Sequence, residues 1–269
     1  MIRNATIDDL PALRAFFARA NDAPYDLQTV VEEKCFGHGF SGPPLTRVYG
    51  DFEGAVVTCG KFVRVLAVDR DARGRGIGTA LLHDAEARGA SVIGTEAGNY
   101  FTPGVFESAA AFFEQRGYTR TAETWNLKTS VGRASARPSE AHRPAHQDRD
   151  RVLSFITREF GKIWAFEAGK AFERDDPTIF ITTDGDDITG FAAHDVNNRG
   201  LGFFGPTGVM KTMRGRGLGC KLLLASLADL SRLGYGEAVI PWTDALDFYR
   251  KCCGAVPAHR FVAFGKARP

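Results

Sequence analysis

The sequence predicts an α/β (α+β) chain built from two tandem copies of one unit, each a mixed, mostly antiparallel sheet with helices on both faces. Three observations carry this. The segment Arg73-Gly74-Arg75-Gly76-Ile77-Gly78 returns as Arg214-Gly215-Arg216-Gly217-Leu218-Gly219, at an offset of 214 − 73 = 141 residues. Each copy of the segment follows an apolar extended stretch, residues 62–68 or 201–209, and precedes a leucine-rich stretch, residues 77–88 or 218–230. In the second of these, Leu223, Leu227 and Leu230 recur at i, i+4 and i+7, which places them on one face of a helix.

The elements follow in order. Residues 2–6 read as an edge strand, and Asp8 and Asp9 cap a helix carrying Leu13, Phe16 and Phe17, with Pro11 in the first turn. Residues 27–35 read as a second helix. Residues 48–52, 55–58 and 62–68, joined by Gly54 and Gly60, read as an antiparallel meander. The helix after the glycine-rich turn is closed by Gly89. Then come a strand at 91–94, an aromatic-bearing helix at 108–116 and a last extended segment. The second copy repeats the plan with helices near 151–160 and 165–172 and strands at 179–183, 187–193 and 201–205. After its glycine-rich turn come a helix closed by Gly234, a strand at 237–240, a helix at 244–252 and a final extended segment.

Between the copies, residues 129–150 hold Pro138, Pro144, several Arg and one large aliphatic residue, Val131, too little apolar surface to pack a core. The expected division is an N-terminal domain over 1–130, a linker over 131–149 and a C-terminal domain over 150–269. Within that linker, residues 140–146 are the alternative first strand of the second copy, because loops this long are uncommon inside compact domains.

Composition excludes several classes. With 34 basic against 32 acidic residues the formal charge is +2, and 44% of the chain is hydrophobic, so it can build a core but lacks the charge excess of a nucleic-acid surface. Cys35, Cys59, Cys220, Cys252 and Cys253 are odd in number and show no CxxC spacing, which argues against a disulfide framework or a zinc site and for a reducing compartment. The start MIRNATIDDL has no apolar run, and no stretch approaches the ~20 apolar residues of a membrane span. A cytoplasmic protein is expected, monomeric or homodimeric, with no metal, nucleic-acid or membrane partner.

A strand that runs through Arg-x-x-Gly-x-Gly straight into a helix exposes unpaired N–H groups at the positive end of the helix dipole, a cradle for phosphate. A Walker A loop is absent, and the dinucleotide fingerprint fails because Thr79 and Leu81 stand where its last glycine belongs. The spacing resembles instead the pyrophosphate loop of the GCN5-related N-acetyltransferase (GNAT) superfamily, which holds acetyl-coenzyme A. The segments Ala111-Phe112-Phe113-Glu114-Gln115-Arg116-Gly117-Tyr118 and Leu246-Asp247-Phe248-Tyr249-Arg250-Lys251 are similar to the helix ending of that family, and the tandem plan is similar to that of mycothiol synthases.

The resemblance implies an acetyl transfer from acetyl-CoA to a small amine, aminosugar or amino acid. It implies that the amides of Gly76, Gly78 and Thr79, and of Gly217, Gly219 and Cys220, within the loops that hold Ile77 and Leu218, bind pyrophosphate. Arg73 or Arg75 and Arg214 or Arg216 would add charge there, and the backbone of Val68 and Val209 would pair with the pantetheine arm. It further implies a tyrosine acid on the last helix, which protonates the departing thiolate. Tyr249 stands there in the second copy where the first has Phe113, so the C-terminal domain is expected to be the catalytic one, with Asp244 as the base. Two details pull against a simple match. Phe113 lies four residues before Gly117 but Tyr249 five before Gly254, and His194 and Asp195 are rival bases. In the first copy Glu96 occupies a comparable strand end, and residues 99–104 shape an acceptor pocket or form a rigid loop. Residues 20–44 and 160–176, with Phe36, Phe40, Trp164, Phe166, Glu167 and Glu173, line an acceptor pocket or are ordinary amphipathic helices. The opposing functional class is a non-catalytic acetyl-CoA-binding sensor; an RNA-binding role for the Arg-Gly runs is disfavoured by the near-neutral charge.

Overall fold

The computed structural model describes residues 1–22, 25–94, 101–133 and 140–267. By contacts the chain divides into two units, one of Met1–Thr124 with Arg260–Pro269 and the other of Trp125–His259.

In the first unit β1 (Ile2–Asn4), β2 (Leu45–Tyr49), β3 (Gly54–Cys59) and β4 (Phe62–Val68) pair antiparallel in order. The helices α1 (Leu10–Ala20) and α2 (Leu27–Cys35) lie between β1 and β2 in the chain, and α3 (Ile77–Ala87) follows β4. The short β5 (Val92–Ile93) runs parallel to β4, and α4 (Glu107–Glu114) comes after it. Two longer strands complete the sheet: β6 (Thr119–Ser130), through Thr124, and β11 (Val256–Gly265), from Arg260 onward. The end of β11 lies antiparallel to β5, with Phe264 opposite Ile93. One cluster of Ile77, Leu81, Leu82, Ile93, Phe113, Val262 and Phe264 fills this core.

The last strand is where the chain departs from the expected repeat. Each copy was expected to end on its own extended segment, yet the strand that seals the first unit beside β5 comes from the C-terminus. Burial drives it: Val262 and Phe264 are both fully buried in the first unit's cluster. Ile93→Val, which removes one methylene from that junction, is expected to cost about 0.5–1.5 kcal/mol. A lowered urea midpoint at unchanged slope is the check.

In the second unit α5 (Arg149–Phe160) and α6 (Lys162–Gly169) precede an antiparallel sheet of β7 (Ile179–Asp184), β8 (Asp187–His194) and β9 (Phe204–Val209). Then come α7 (Leu218–Arg232), β10 (Glu237–Thr243) and α8 (Leu246–Cys253). Residues 125–130 of β6 pair antiparallel with β10, and Phe203 bridges Val239 in parallel. The chain expected as a linker is partly built into this unit. Val131 and Ala141 are buried in its core with Leu127, Leu223 and Leu227, and His142 bridges Ile181, the strand-like alternative for residues 140–146. The sheets are mixed and mostly antiparallel, as expected. Among the described residues no helix is long and apolar enough to cross a membrane.

Candidate active site

Both glycine-rich turns fold alike. Gly74 and Gly76 have φ of 78° and 81°, and Gly215 and Gly217 have φ of 82° and 76°, a left-handed backbone that glycine adopts without strain. No heavy atom lies within 4 Å of where a Cβ would stand on any of the four, so open space faces each turn. Gly76 and Gly217 are the N-caps of α3 and α7, so each turn aims the free donors of a helix start outward. The third glycines serve packing instead. A Cβ on Gly78 would stand 3.4 Å from Phe112, and one on Gly219 would stand 3.3 Å from Phe248, so the aromatic of the following helix rests on the turn.

The first arginine of each turn is used internally. Arg73 Nε donates to the Val68 carbonyl at 3.1 Å, and Arg214 Nε to the Val209 carbonyl at 3.3 Å. Arg73 also reaches the Ala20 carbonyl at 3.2 Å and pairs with Asp22 at 2.6 Å. These bonds pin the end of the strand to its turn. Arg75 donates to the Asp71 carbonyl at 2.9 Å, with its side chain 64% exposed, and Arg216 is exposed, so these two carry the positive charge at the rim.

The two cradles then diverge. In α3 the first bond back to the cap is Ala80 N–H to Gly76 O at 3.0 Å. In α7 Cys220 N–H already turns to Gly217 O at 3.1 Å, ahead of Lys221 N–H at 3.2 Å, so the Cys220 amide expected to face a phosphate is engaged within the turn. Side chains differ in parallel. Arg116, from the end of the α4 segment, lies 3.8 Å over the Phe112 ring and donates to Thr79 Oγ1 at 2.7 Å. In the second unit the thiols of Cys252 and Cys220 meet, and burial together with this neighbour pushes the Cys252 thiol up to about 12. Arg116 stood in the segment quoted for the family likeness but drew no role from the sequence.

The larger difference is the cleft. In the first unit β4 and β5 pair only at Phe62↔Val92 and Val63↔Ile93. Among the described residues no further pair joins the two strands, and a cavity of about 770 Å³ opens along β4. It runs from Arg73, Gly74, Gly76 and Gly78 at the turn, past Val68 and Val65, to Arg64 and Phe101. Gly94 closes one wall: at φ 84°, a Cβ there would stand 2.3 Å from Gly104 Cα. Glu96, Asn99 and Tyr100 lie outside the described residues.

The second unit has smaller hollows elsewhere. One of about 480 Å³ borders Arg143, Phe180 and Asp229, and one of about 510 Å³ borders Arg151, Asp186 and Met213. Neither Tyr249 nor Asp244 lines any of the three cavities. Tyr249 is 7% exposed within the core cluster, its ring 6.2 Å from that of Phe204 and 4.9 Å from that of Phe248. Burial pushes its phenol above the ordinary value. Asp244 is exposed just before α8. The rival bases are structural. His194 is fully buried against Asp229 at 2.8 Å, and Asp195 accepts bonds from the Tyr235 hydroxyl at 3.0 Å and the Gly200 amide at 3.0 Å. Of the other expected lining residues, Glu167 is buried, while Phe40 and Trp164 are exposed by 43% and 37%.

Comparison with known proteins agrees with the duplication. Residues 46–120 match the model of an acetyltransferase (GNAT) domain, and residues 142–255 match that of the acetyltransferase (GNAT) family. No curated protein matches the chain in sequence. Several solved structures share the fold. A fungal GCN5-related glucosamine N-acetyltransferase region of a multi-domain GH3 beta-N-acetylglucosaminidase superposes with a TM-score of 0.78 at 17% identity, over 98% of this chain. This chain spans 38% of that protein's length. A tandem GNAT protein from the clavulanic acid biosynthesis pathway superposes with a TM-score of 0.70 at 17% identity, covering 100% of this chain and 99% of that one. A GCN5-related N-acetyltransferase from Sphaerobacter thermophilus does so with a TM-score of 0.67 at 20% identity, covering 100% and 96%. Two family matches on two copies of one strand, turn and helix make this chain a tandem acyltransferase of the GNAT superfamily.

Proposed function

We propose that the protein is an acetyl-CoA-dependent N-acetyltransferase acting on a small amine, with acetyl-CoA seated in the first unit. The cavity of about 770 Å³ that is lined by the first turn and by β4 carries this reading. The pyrophosphate rests on the free N–H groups of Ile77, Gly78 and Thr79, with Arg75 and Arg116 adding charge at the rim. The arm lies along β4 beyond Val63, where main-chain groups take it as they would an added strand. Attack of a neutral amine on the thioester carbonyl then forms the C–N bond and breaks the C–S bond, and the proton that nitrogen loses passes through solvent to the departing thiolate, which leaves as the thiol of coenzyme A. Excluding water around the thioester is the contribution of Phe101, Val65 and Ile93.

One observation favours a second reading, in which the second unit does the chemistry with Tyr249 as acid and Asp244 as base. Trp242 is held at φ 53°, its N–H bonded at 3.0 Å to Oδ1 of the fully buried Asn126, where β10 breaks register. Such strain in a residue other than glycine gathers at functional sites. The raised phenol of Tyr249 also stays protonated at neutral pH, as an acid must.

The test is calorimetric titration of acetyl-CoA followed by thiol release with a panel of amines. Thiol release that rises with an amine supports the transferase. Tight binding with no release on any amine supports the sensor class instead. Arg116→Ala, which removes one charge–phosphate contact and frees Thr79, is expected to weaken acetyl-CoA about 5- to 30-fold with little change in melting temperature; unchanged affinity removes Arg116 from the cradle.

A further inference from the structure

The helix α8 meets the second glycine-rich turn at two points that lie on one helix face. Phe248 rests on Gly219, where an added Cβ would stand 3.3 Å from its ring, and Cys252, four residues on, meets the thiol of Cys220. The first copy has the same two points. Phe112 rests on Gly78, and Arg116, again four residues on, donates to Thr79 Oγ1 at 2.7 Å. At the repeat offset of 141 residues Thr79 answers to Cys220. Both copies thus tether the last helix to the turn, one through a hydrogen bond from a guanidinium and the other through two thiols.

Exposure and direction single out this pair. Cys220 and Cys252 are half-buried, whereas Cys35, Cys59 and Cys253 are buried. Cys253 donates through Sγ to the Tyr249 carbonyl at 3.2 Å, and as the next residue on a helix it points about 100° away from Cys252. A small side-chain movement takes the Cys220 and Cys252 sulfurs from contact to the ~2.05 Å of a covalent bond. Burial, together with the hydrogen bond and charge of Cys220, holds the Cys252 thiol up at about 12, so oxidation starts on Cys220. Once Cys220 is a neutral sulfenic acid its charge no longer opposes ionisation of Cys252, which is then the resolving thiol.

We propose that Cys220 and Cys252 form a reversible disulfide site that clamps α8 onto the second glycine-rich turn, with hydrogen peroxide as the oxidant. The Cys220 sulfur attacks the peroxide and the O–O bond breaks, which leaves a sulfenic acid on the sulfur and releases one water. The Cys252 sulfur then attacks that of Cys220; the S–S bond forms, the S–O bond breaks, and the hydroxyl leaves as a second water with the Cys252 proton. The two sulfurs lose two electrons and the peroxide gains them. A thiol reductant returns both thiols. The bond fixes the turn in the form in which the Cys220 N–H is held by Gly217 O. The inference stands whichever copy seats acetyl-CoA.

The test treats the full chain, reduced and freed of reductant, with hydrogen peroxide, alkylates it under denaturant and maps its peptides by mass spectrometry without reduction. Free thiols are expected to fall from five to three, with one cross-linked pair joining Cys220 to Cys252, ~2 Da lighter than the sum of its two peptides. The melting temperature is expected to rise by about 5 °C or more, because the bond closes a loop of about thirty residues. Dithiothreitol is expected to restore all five thiols and the original melting temperature. Cys220→Ser and Cys252→Ser each abolish the cross-link and Cys253→Ser keeps it, while mapping of the wild type does not depend on how any variant folds. Five thiols after peroxide, sulfinic acid on Cys220 without a cross-link, or a bond that takes Cys253 or joins two chains overturns the proposal. A cross-link that leaves the melting temperature unchanged overturns the clamp.

Discussion

Gly76→Glu is expected to weaken acetyl-CoA binding by more than about a hundredfold, and Gly217→Glu to leave it within about threefold. Both substitutions place a carboxylate where open space now faces the turn, and both impose the same backbone strain, since the two glycines have φ of 81° and 76°. The comparison therefore cancels strain and isolates the ligand. At the first turn the new carboxylate would meet the two phosphates of the pyrophosphate at close range, a repulsion only partly screened at ~8–10 Å Debye length. It would also occupy the mouth of the cavity along β4. At the second turn the Cys220 amide is already bonded to Gly217 O, so less of a cradle is lost. Gly76→Ala in parallel reports the strain alone and is expected to cost binding only severalfold. The reverse pattern, loss with Gly217→Glu and retention with Gly76→Glu, moves the cofactor to the second unit and restores Tyr249 as its acid.

That asymmetry between the copies was the hardest feature to read from sequence. The repeat itself was legible because glycine spacing is local: four positions with left-handed φ must be glycine, and both turns kept them. The elements around the turns were legible for the same reason, their apolar periods being written within ten or fifteen residues. What decides which copy holds a cavity is not local. It depends on tertiary packing along β4 and on whether the third amide of a helix turns inward, as Cys220 does. The substitution of Phe113 by Tyr249 pointed to the second copy by residue type alone, yet both rings lie in core clusters.

The strand partners were illegible for a related reason. Residues 125–128 alternate apolar with polar side chains and residues 261–264 are apolar throughout, and either pattern marks a strand without naming its neighbour. Only tertiary burial places Phe264 opposite Ile93 and Leu127 opposite Ile240. Arg64 drew no role from the sequence because a charged residue between valines reads as solvent-facing, whereas in the structure it is buried and its Nη1 donates to the Lys34 carbonyl.

Asp229→Asn is expected to destabilise the second unit by about 3–5 kcal/mol without touching either turn. Asp229 lies on α7 with its side chain 4% exposed and holds three cationic or protic groups: Arg143 at 2.6 Å, Arg232 at 2.9 Å and His194 at 2.8 Å. Burial alone would raise its carboxyl, but the His194 and Arg143 hydrogen bonds outweigh that and hold it well below the usual carboxylate range. An ionised carboxylate only accepts, so His194 donates through Nε2, and its ring stacks 5.8 Å from that of Phe180. Burial pulls the His194 imidazole below its ordinary value, because the charged form would lose its water. The sign of the pH dependence follows from both shifts. A histidine whose folded pKa is depressed adds stability above its unfolded value near ~6.5 and loses it as pH falls toward the folded value. Asp229, also depressed, keeps its contribution down to the ordinary carboxylate range and loses it only below, as the folded group takes up a proton. Thermal melts of the wild type should therefore show a first loss of stability just below pH ~6.5 and a steeper one below pH ~4. His194→Gln, which cannot titrate, should flatten the first limb and leave the second. A first limb that persists in that variant assigns it to another group and removes His194 from the account.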